Sequence, residues 1–436
     1  MSVMIPTLVI SATSFVGITL SILFFPHIKI KRAVVDTYWI VALIVAFILL
    51  AFAFVPIQEV FKELTSDSDI NPLKILVLFF SMTVISIYLD EIGLFRFLAG
   101  VAIKRAKSSQ YVLFFILYVL TSILTVFTSN DVVILTLTPF ICFFCKNAKI
   151  NPLPYLIAEF AAANTWSMMF VIGNPTNIYL ATSAHITFIE YFKVMWLPTV
   201  ISGLVQLLLI FLIFFKKLKE QITIEEDDYK IESKFDLIVG LVILLAVLTF
   251  LVISNYINLQ MWMIALVGAS TLLIISVVTR LITKKNWHYV KGSLVRLPYQ
   301  LIPFVLSMFV IVTALKYQGI STKIGEIINQ EPVIWIYGSS SFLFSNVINN
   351  IPMSILFSSL PTGLEGVAYS RAIYASIIGS NVGAFFTPIG ALAGIMFSSL
   401  VNKHDIKFSF LDFTKYGVLI AIPTLAVSLG ILTIIL

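Results

Sequence analysis

Charge is the scarcest commodity in this chain. Only 11% of its 436 residues are Asp, Glu, Lys or Arg, against ~25% in a soluble globular chain. That shortage excludes an ordinary soluble enzyme and a disordered chain. Two cysteines, Cys142 and Cys145, exclude a disulfide scaffold. The four histidines, His27, His185, His288 and His404, stand apart from one another in the sequence and suggest no metal site. No glycine-rich phosphate loop with a lysine is present, so ATP hydrolysis within this polypeptide is not expected. The net charge of +6 is spread along the chain and is no nucleic-acid signal. What is abundant is apolar: 59% hydrophobic residues, 37 of them Phe, and a mean hydropathy of +1.03. Such a chain places its side chains against lipid or against each other.

Apolar runs fall near residues 5–26, 37–57, 73–90, 110–128, 131–146, 153–172, 177–189 and 192–215. After a polar stretch at 216–235 they resume near 236–254, 259–279, 299–318, 333–348, 351–360, 372–386, 389–401 and 413–436. Several are too short to cross a ~30 Å hydrocarbon core alone. The first run precedes its basic residues and reads as a span, not a cleaved leader. With residues 27–35 on the cytoplasmic side, 22 of the 28 Lys and Arg residues share that side, as the positive-inside rule requires. The split holds only if 110–146 and 333–367 are hairpins that enter and leave on one side. The termini then face outward, residues 220–232 lie inside and 64–70 outside. The expected fold is an all-α polytopic membrane protein. Residues 1–215 and 236–436 form two inverted-topology repeats, each of five crossings plus one re-entrant hairpin, with discontinuous helices. Residues 216–235 form a cytoplasmic linker, whose acidic cluster Glu225, Glu226, Asp227 and Asp228 reads as solvated loop. Inverted halves are a common plan of secondary transporters.

The interruptions concentrate polar residues where a helix would otherwise be apolar. The first tip is Thr128-Ser129-Asn130-Asp131, and the first break is Gly173-Asn174-Pro175-Thr176-Asn177. The second tip holds Ser345, Asn346, Asn349 and Asn350. The second break holds Ser380 and Asn381, then Thr387, Pro388 and Gly390. From Asn130 to Gly173 is 43 residues and from Asn349 to Gly390 is 41, so the halves repeat one plan. Gly and Pro open a helix, and freed backbone groups inside a membrane need partners or a water-lined cavity. The four segments are therefore expected to meet around one central cavity and bind substrate or ion. Small polar residues also pack helices together, which is the bland reading of any single member.

Four carboxylates could couple transport to an ion. Asp131 stands where a helix restarts after the first tip, so exposed amides can stabilise it. Glu159 lies inside an apolar run, and Asp90 and Glu91 end the third run. An ionisable residue inside a membrane segment is costly and tends to be functional. Lys291 and Arg296 read as interface anchors. Cys142-Phe143-Phe144-Cys145 reads as packing.

The segments FTSNDVVILTLTP (127–139), GNPTNI (173–178), SNVINNIP (345–352) and IIGSNVGAFFTPIGALAG (377–394) carry a resemblance to the ion transporter superfamily. It is closest to the arsenite pump and sodium/proton antiporter branch, and more distant from the divalent anion:sodium symporters. Asn130, Asp131, Thr138 and Pro139 resemble the first tip of arsenite pumps. Asn349, Asn350 and Pro352 resemble the second tip, and residues 387–390 resemble the later Thr-Pro-Ile-Gly. The carboxylate-transporting members carry Ser-Asn-Thr tips instead, and here Asp131 takes the third place. The resemblance implies secondary transport by alternating access in the cell membrane: arsenite or antimonite efflux in exchange for protons. Sodium/proton exchange and cation-coupled transport of di- or tricarboxylates or other anions are the alternatives. A channel would need an open pore, and a membrane enzyme would need convergent catalytic groups. No cofactor is expected; a bound sodium ion or a transferred proton would couple the cycle. The expected partners are lipid and a small inorganic or organic ion. The resemblance adds a homodimer and, as in some arsenite pumps, a separate ATPase subunit.

Overall fold

The structure, a computed structural model, describes residues 3–25, 27–30, 33–65, 71–219, 222, 230–254, 256–284, 286–404, 406 and 408–436. The cluster Glu225 to Asp228 lies outside the described residues, as do 66–70 and most of 220–232, so the expected sidedness of those stretches finds no structural counterpart. The chain is helical almost throughout. Its first half runs α1 (Met4–Phe24), α2 (Tyr38–Ala51), α3 (Ile57–Thr65), α4 (Pro72–Glu91), α5 (Leu94–Ala106), α6 (Gln110–Phe127), α7 (Asn130–Asn147), α8 (Leu153–Trp166), α9 (Pro175–Ser183) and α10 (Phe188–Phe214). Its second half runs α11 (Lys234–Val252), α12 (Met261–Thr283), α13 (His288–Val295), α14 (Leu301–Tyr317), α15 (Ile320–Ile328), α16 (Val333–Ile348), α17 (Asn350–Phe357), α18 (Gly366–Gly383), α19 (Leu392–Lys403) and α20 (Phe410–Ile435). The expectation of a purely α fold needs one correction: β1 (His27–Ile30) and β2 (Ala33–Asp36) form a small antiparallel hairpin between α1 and α2. Strand pairing satisfies the backbone of a segment too rich in β-branched and charged residues to continue α1.

Seven helices among the described residues are long and apolar enough to cross a membrane: α1, α4, α6, α10, α11, α12 and α20. The outer helices turn apolar stripes outward. On α11, Ile238, Val242 and Leu245 are more than half exposed, while Gly240, Leu244, Val247 and Leu251 are buried. A stripe of that size on a surface needs lipid or a partner. Inside sit α4, α8, α14 and α18. Every residue from Pro154 to Thr165 in α8 and from Ala372 to Gly383 in α18 is buried.

Four short helices lie outside the expected spans. α3 and α13 precede the third long helix of each half, and α5 and α15 follow it. The chain turns into α5 and α15 at Gly93 and Gly319, with φ of +89° and +70°. That left-handed backbone suits glycine, and α15 leaves α14 at 79°. Terminal signals recur as well. Thr187 and Glu190 form a capping box at α10, and Ser409 and Asp412 form one at α20. Packing pairs recur: α2 lies against α14 and α4 against α12, α6 against α8 and α16 against α18, α7 against α19 and α9 against α17.

Candidate functional site

The first hairpin turns at residues 128–129. Thr128 closes α6 by donating its hydroxyl to the Leu124 carbonyl at 2.6 Å. Asn130 opens α7. Its Oδ1 accepts from the Asp131 amide at 2.9 Å, and its Nδ2 donates to Asn164 Oδ1 at 3.1 Å. The buried Ser129 hydroxyl has no partner. Asp131 is half-buried in the first turn of α7, where the helix N-terminus favours an anion. Among the described residues no ion pair or side-chain hydrogen bond engages its carboxylate.

The first break follows α8. The chain leaves the helix at Trp166, makes a single 3-10 turn over Val171–Gly173 and restarts at Pro175. Proline suits this first helical position because the amide it lacks has no helical partner there. Asn174 caps α9 through the Thr176 amide at 3.2 Å. The loop folds back on the end of α8. Asn177 Nδ2 donates to the Ser167 carbonyl at 2.8 Å, and a Cβ on Gly173 would stand 2.3 Å from that same oxygen. Only glycine fits so close to backbone. The Thr176 hydroxyl is buried without a partner.

The second half builds a tighter version. Asn349, at φ +72°, joins α16 to α17. Its Nδ2 donates to the Ile389 carbonyl at 3.0 Å, and the Asn350 amide donates to the Gly390 carbonyl at 3.1 Å. Asn346 Nδ2 donates to the Gly383 carbonyl at 3.0 Å, and Asn346 Oδ1 accepts from the Thr387 hydroxyl at 2.6 Å. Ser345 closes on its own helix through Phe342. A Cβ on Gly390 would lie 2.3 Å from the Gly383 carbonyl, the counterpart of the Gly173 contact. Pro388 stands between these partners in the break.

Asn381 ties the halves together. Its Nδ2 donates to Asn177 Oδ1 at 2.6 Å and to the Ile377 carbonyl at 2.8 Å. Its Oδ1 accepts from Ser167 Oγ at 2.9 Å and Asn174 Nδ2 at 3.0 Å. The two breaks therefore meet directly, the second tip meets the second break, and the first tip reaches α8 through Asn164. The neighbouring Ser380 hydroxyl is buried without a partner. Of the sequence-nominated residues here, Asp131, Pro175, Asn346, Thr387 and Pro388 are half-buried and the others are buried. Asn164 and Ser167 belong to the same junction and were missed within an apolar run. Their signal was positional: Asn164 lies ten residues before the cap of α9, as Asn381 lies ten before the residue preceding α19.

The other carboxylates differ sharply. Glu159 is 1% exposed, and both its oxygens accept from the Thr138 hydroxyl, at 3.1 and 3.2 Å. No cation is paired with it among the described residues. Asp90 and Glu91 are instead held by one guanidinium. Arg296 Nη1 donates to Asp90 Oδ2 at 2.7 Å and to Glu91 Oε1 at 2.6 Å, and Thr136 of α7 donates to Asp90 Oδ2 at 2.8 Å. This corrects the reading of Arg296 as a snorkelling anchor: its charge points inward and balances one of the two carboxylates at the end of α4, while Asp90 Oδ1 is buried with no hydrogen-bond partner among the described residues. A second buried pair joins Arg280 to Asp236 at 2.9 Å, with the Tyr88 hydroxyl donating to the same oxygen. Cys142 and Cys145 are buried thiols on α7. No group of three metal-ligating side chains occurs among the described residues.

Residues 36–379 match the family described as the citrate transporter family, CitMHS. The chain is 25% identical over 373 residues to the arsenical pump membrane protein of Escherichia coli, across 82% of this chain and 85% of that one. It is 23% identical over 374 residues to a putative arsenical pump membrane protein of Bacillus subtilis, across 77% and 82%. The YdaH transporter of Alcanivorax borkumensis, known from a crystal structure, shares the fold with a TM-score of 0.55 over 98% of both chains, at 13% identity. With the broken, polar-lined helices and the apolar spans, these matches establish that the chain belongs to the citrate transporter family of the ion transporter superfamily, as a multi-pass membrane transporter.

Proposed function

We propose that the protein is a secondary active transporter that exports arsenite or antimonite in exchange for protons by alternating access. The observation that carries this reading is the chemistry of the junction around Asn381. It is built of amides and hydroxyls, and no cationic side chain enters it among the described residues. Undissociated arsenous acid is neutral and offers hydroxyl groups to such partners. The unpartnered Ser129, Thr176 and Ser380 hydroxyls supply further donors and acceptors, since buried polar groups need partners. The names of the relatives favour the same cargo. A neutral cargo draws nothing from the membrane potential by itself, whereas one coupled proton is worth ~2.3 kcal/mol per 100 mV. Asp131 and Glu159 are the proposed coupling groups. Asp90 and Glu91, both bound by Arg296, become structural in this reading.

A second reading, cation-coupled transport of a di- or tricarboxylate, is favoured by the description of the family itself. It asks for an anion hole made of helix N-termini and amides, because Arg296 is already engaged.

We also propose that the halves, 1–215 and 236–436 about the linker 216–235, are inverted repeats of five crossings and one hairpin, with both termini outside the cell membrane. Support comes from the matching order of ten helices per half, the paired glycine corners and capping boxes, and the reciprocal packing. A homodimer accords with the resemblance. The function is tested in proteoliposomes given arsenite, antimonite, citrate, succinate or sodium under imposed pH and sodium gradients. Uphill arsenite movement driven by a pH gradient is expected. Sodium-driven citrate accumulation without arsenite flux would replace the first reading by the second.

A further inference from the structure

Two segments far apart in the chain bring positive charge to one corner of the fold. The end of α5 and the turn after it carry Lys104, Arg105 and Lys107, and the turns after α10 carry Lys216, Lys217 and Lys219. Two hydrogen bonds set these segments side by side. The Tyr111 hydroxyl donates to the Phe215 carbonyl at 3.0 Å, and the Ile222 amide donates to the Ser108 carbonyl at 2.9 Å. All six cations are exposed, and no carboxylate among the described residues forms an ion pair with any of them. Lys216 and Lys217 rest instead over the Phe215 and Phe214 rings, 5.9 and 5.5 Å from the ring centres. A helix C-terminus favours a nearby cation. That accounts for a charge at the end of each helix but leaves like charges crowded together, and an anion seated among them relieves the repulsion. The surface beyond the corner selects the anion. Val112, Phe115 and Val119 of α6 and Leu208 and Leu212 of α10 are exposed. The two helices pack where Phe211 meets Tyr111, Phe114 and Phe115, so these exposed residues border one apolar seam that begins at the cations. A phosphate ester with acyl chains satisfies both surfaces: its phosphate takes charge-assisted hydrogen bonds, and its chains cover the seam. A soluble phosphate or an acidic peptide would leave the seam bare.

We propose that this corner binds the headgroup of an anionic phospholipid, with the acyl chains along the seam of α6 and α10. The site is separate from the asparagine junction and holds whichever cargo the junction carries. Its position gives it a consequence. Gln110 opens α6, the first arm of the first hairpin, so a headgroup held by both groups of cations fastens the base of that hairpin to the end of α10. A lipid that binds the folded chain alone raises its melting temperature.

Binding is measured by native mass spectrometry on the delipidated full chain in a neutral detergent. Phosphatidylglycerol is the probe and phosphatidylcholine its zwitterionic match. Phosphatidylglycerol should bind about tenfold more tightly or better, and should raise the melting temperature where phosphatidylcholine does not. One cation lost beside an anionic headgroup costs about fivefold in affinity. Lys104→Gln, Arg105→Gln and Lys216→Gln together should therefore weaken phosphatidylglycerol by about tenfold or more, with unchanged elution on size exclusion. The same loss of charge elsewhere, by Lys284→Gln, Lys291→Gln and Lys403→Gln together, should change it less than about threefold. Inorganic pyrophosphate, which has no acyl chain, should not displace the lipid at equal concentration. Glu225→Gln, Glu226→Gln, Asp227→Asn and Asp228→Asn together should leave the affinity within about threefold. Equal binding of the two lipids, equal weakening by the two triple variants, displacement by equimolar pyrophosphate, or a gain of about tenfold in the linker variant, which would make the linker the counter-charge, would each overturn the proposal.

Discussion

Replacing Asn381 by Ala removes one side chain and strips a contact between parts of the chain some two hundred residues apart. Four hydrogen bonds go: those to Asn177 Oδ1 and the Ile377 carbonyl, and those from Ser167 Oγ and Asn174 Nδ2. The partners fare differently. Ser167 Oγ also donates to the Asn164 carbonyl at 2.8 Å, and Asn177 Nδ2 still donates to the Ser167 carbonyl. Asn177 Oδ1 and Asn174 Nδ2 have no other partner among the described residues and are left buried. At about 1–3 kcal/mol for each unsatisfied buried group, the change costs roughly 2–6 kcal/mol before any rearrangement. The assay is thermal unfolding of purified protein in one detergent, with Leu245→Ala on the exposed face of α11 as the reference. Asn381→Ala should melt ~3 °C or more below the parent and lose transport, whereas Leu245→Ala should stay close to it. Asn174→Ala and the double variant complete a cycle, and sharing a partner predicts a combined loss smaller than the sum. An Asn381→Ala protein that melts with the parent and transports at the parental rate would refute the reasoning.

Gly379→Ala would place a Cβ 2.0 Å from Ser341 Oγ and 2.3 Å from the Gly338 carbonyl; forcing α16 from α18 should cost ~1–3 kcal/mol and cut the yield of folded protein. Gly430→Ala, with nothing within 4 Å, is its control in the same size-exclusion assay. Arg280→Met strands the buried Asp236 carboxylate and should destabilise by about 3–5 kcal/mol, and adding Asp236→Leu should recover much of that loss in melting temperature. Glu159→Gln keeps the Thr138 contact but removes ionisation; proton-driven accumulation should fall at an unchanged melting temperature, and full accumulation would mark Glu159 as packing only.

The long spans were legible because each is a run of apolar residues, and the breaks because Gly, Pro and Asn interrupt such runs. The meeting of Asn177 with Asn381 was legible only as a matched spacing, since hydrophobic periodicity carries no information on contacts across that separation. Helix α5 escaped because its stripe of Phe95, Ala99, Ala102, Ile103 and Ala106 is interleaved with exposed Arg96, Lys104 and Arg105, which read as a basic loop. Arg280 enters only the count of cytoplasmic-side charges, and Arg296 reads as an interface anchor. Their carboxylate partners lie 44 and more than 200 residues away, so pairing could not be read locally. Asn164 was hidden among alanines, where one polar residue does little to a hydropathy average.

The central claim is that ion-driven transport passes through the broken-helix junction, with Asp131 exchanging the coupling ion. Asp131→Asn retains size and helix-capping ability but cannot titrate. The decisive measurement compares parent and Asp131→Asn in proteoliposomes, for uphill arsenite movement under a pH gradient and for tracer exchange at equal arsenite concentrations. The account predicts uphill transport by the parent only, with exchange surviving in the variant. Uphill transport by Asp131→Asn at the parental rate and equal reconstitution would contradict it.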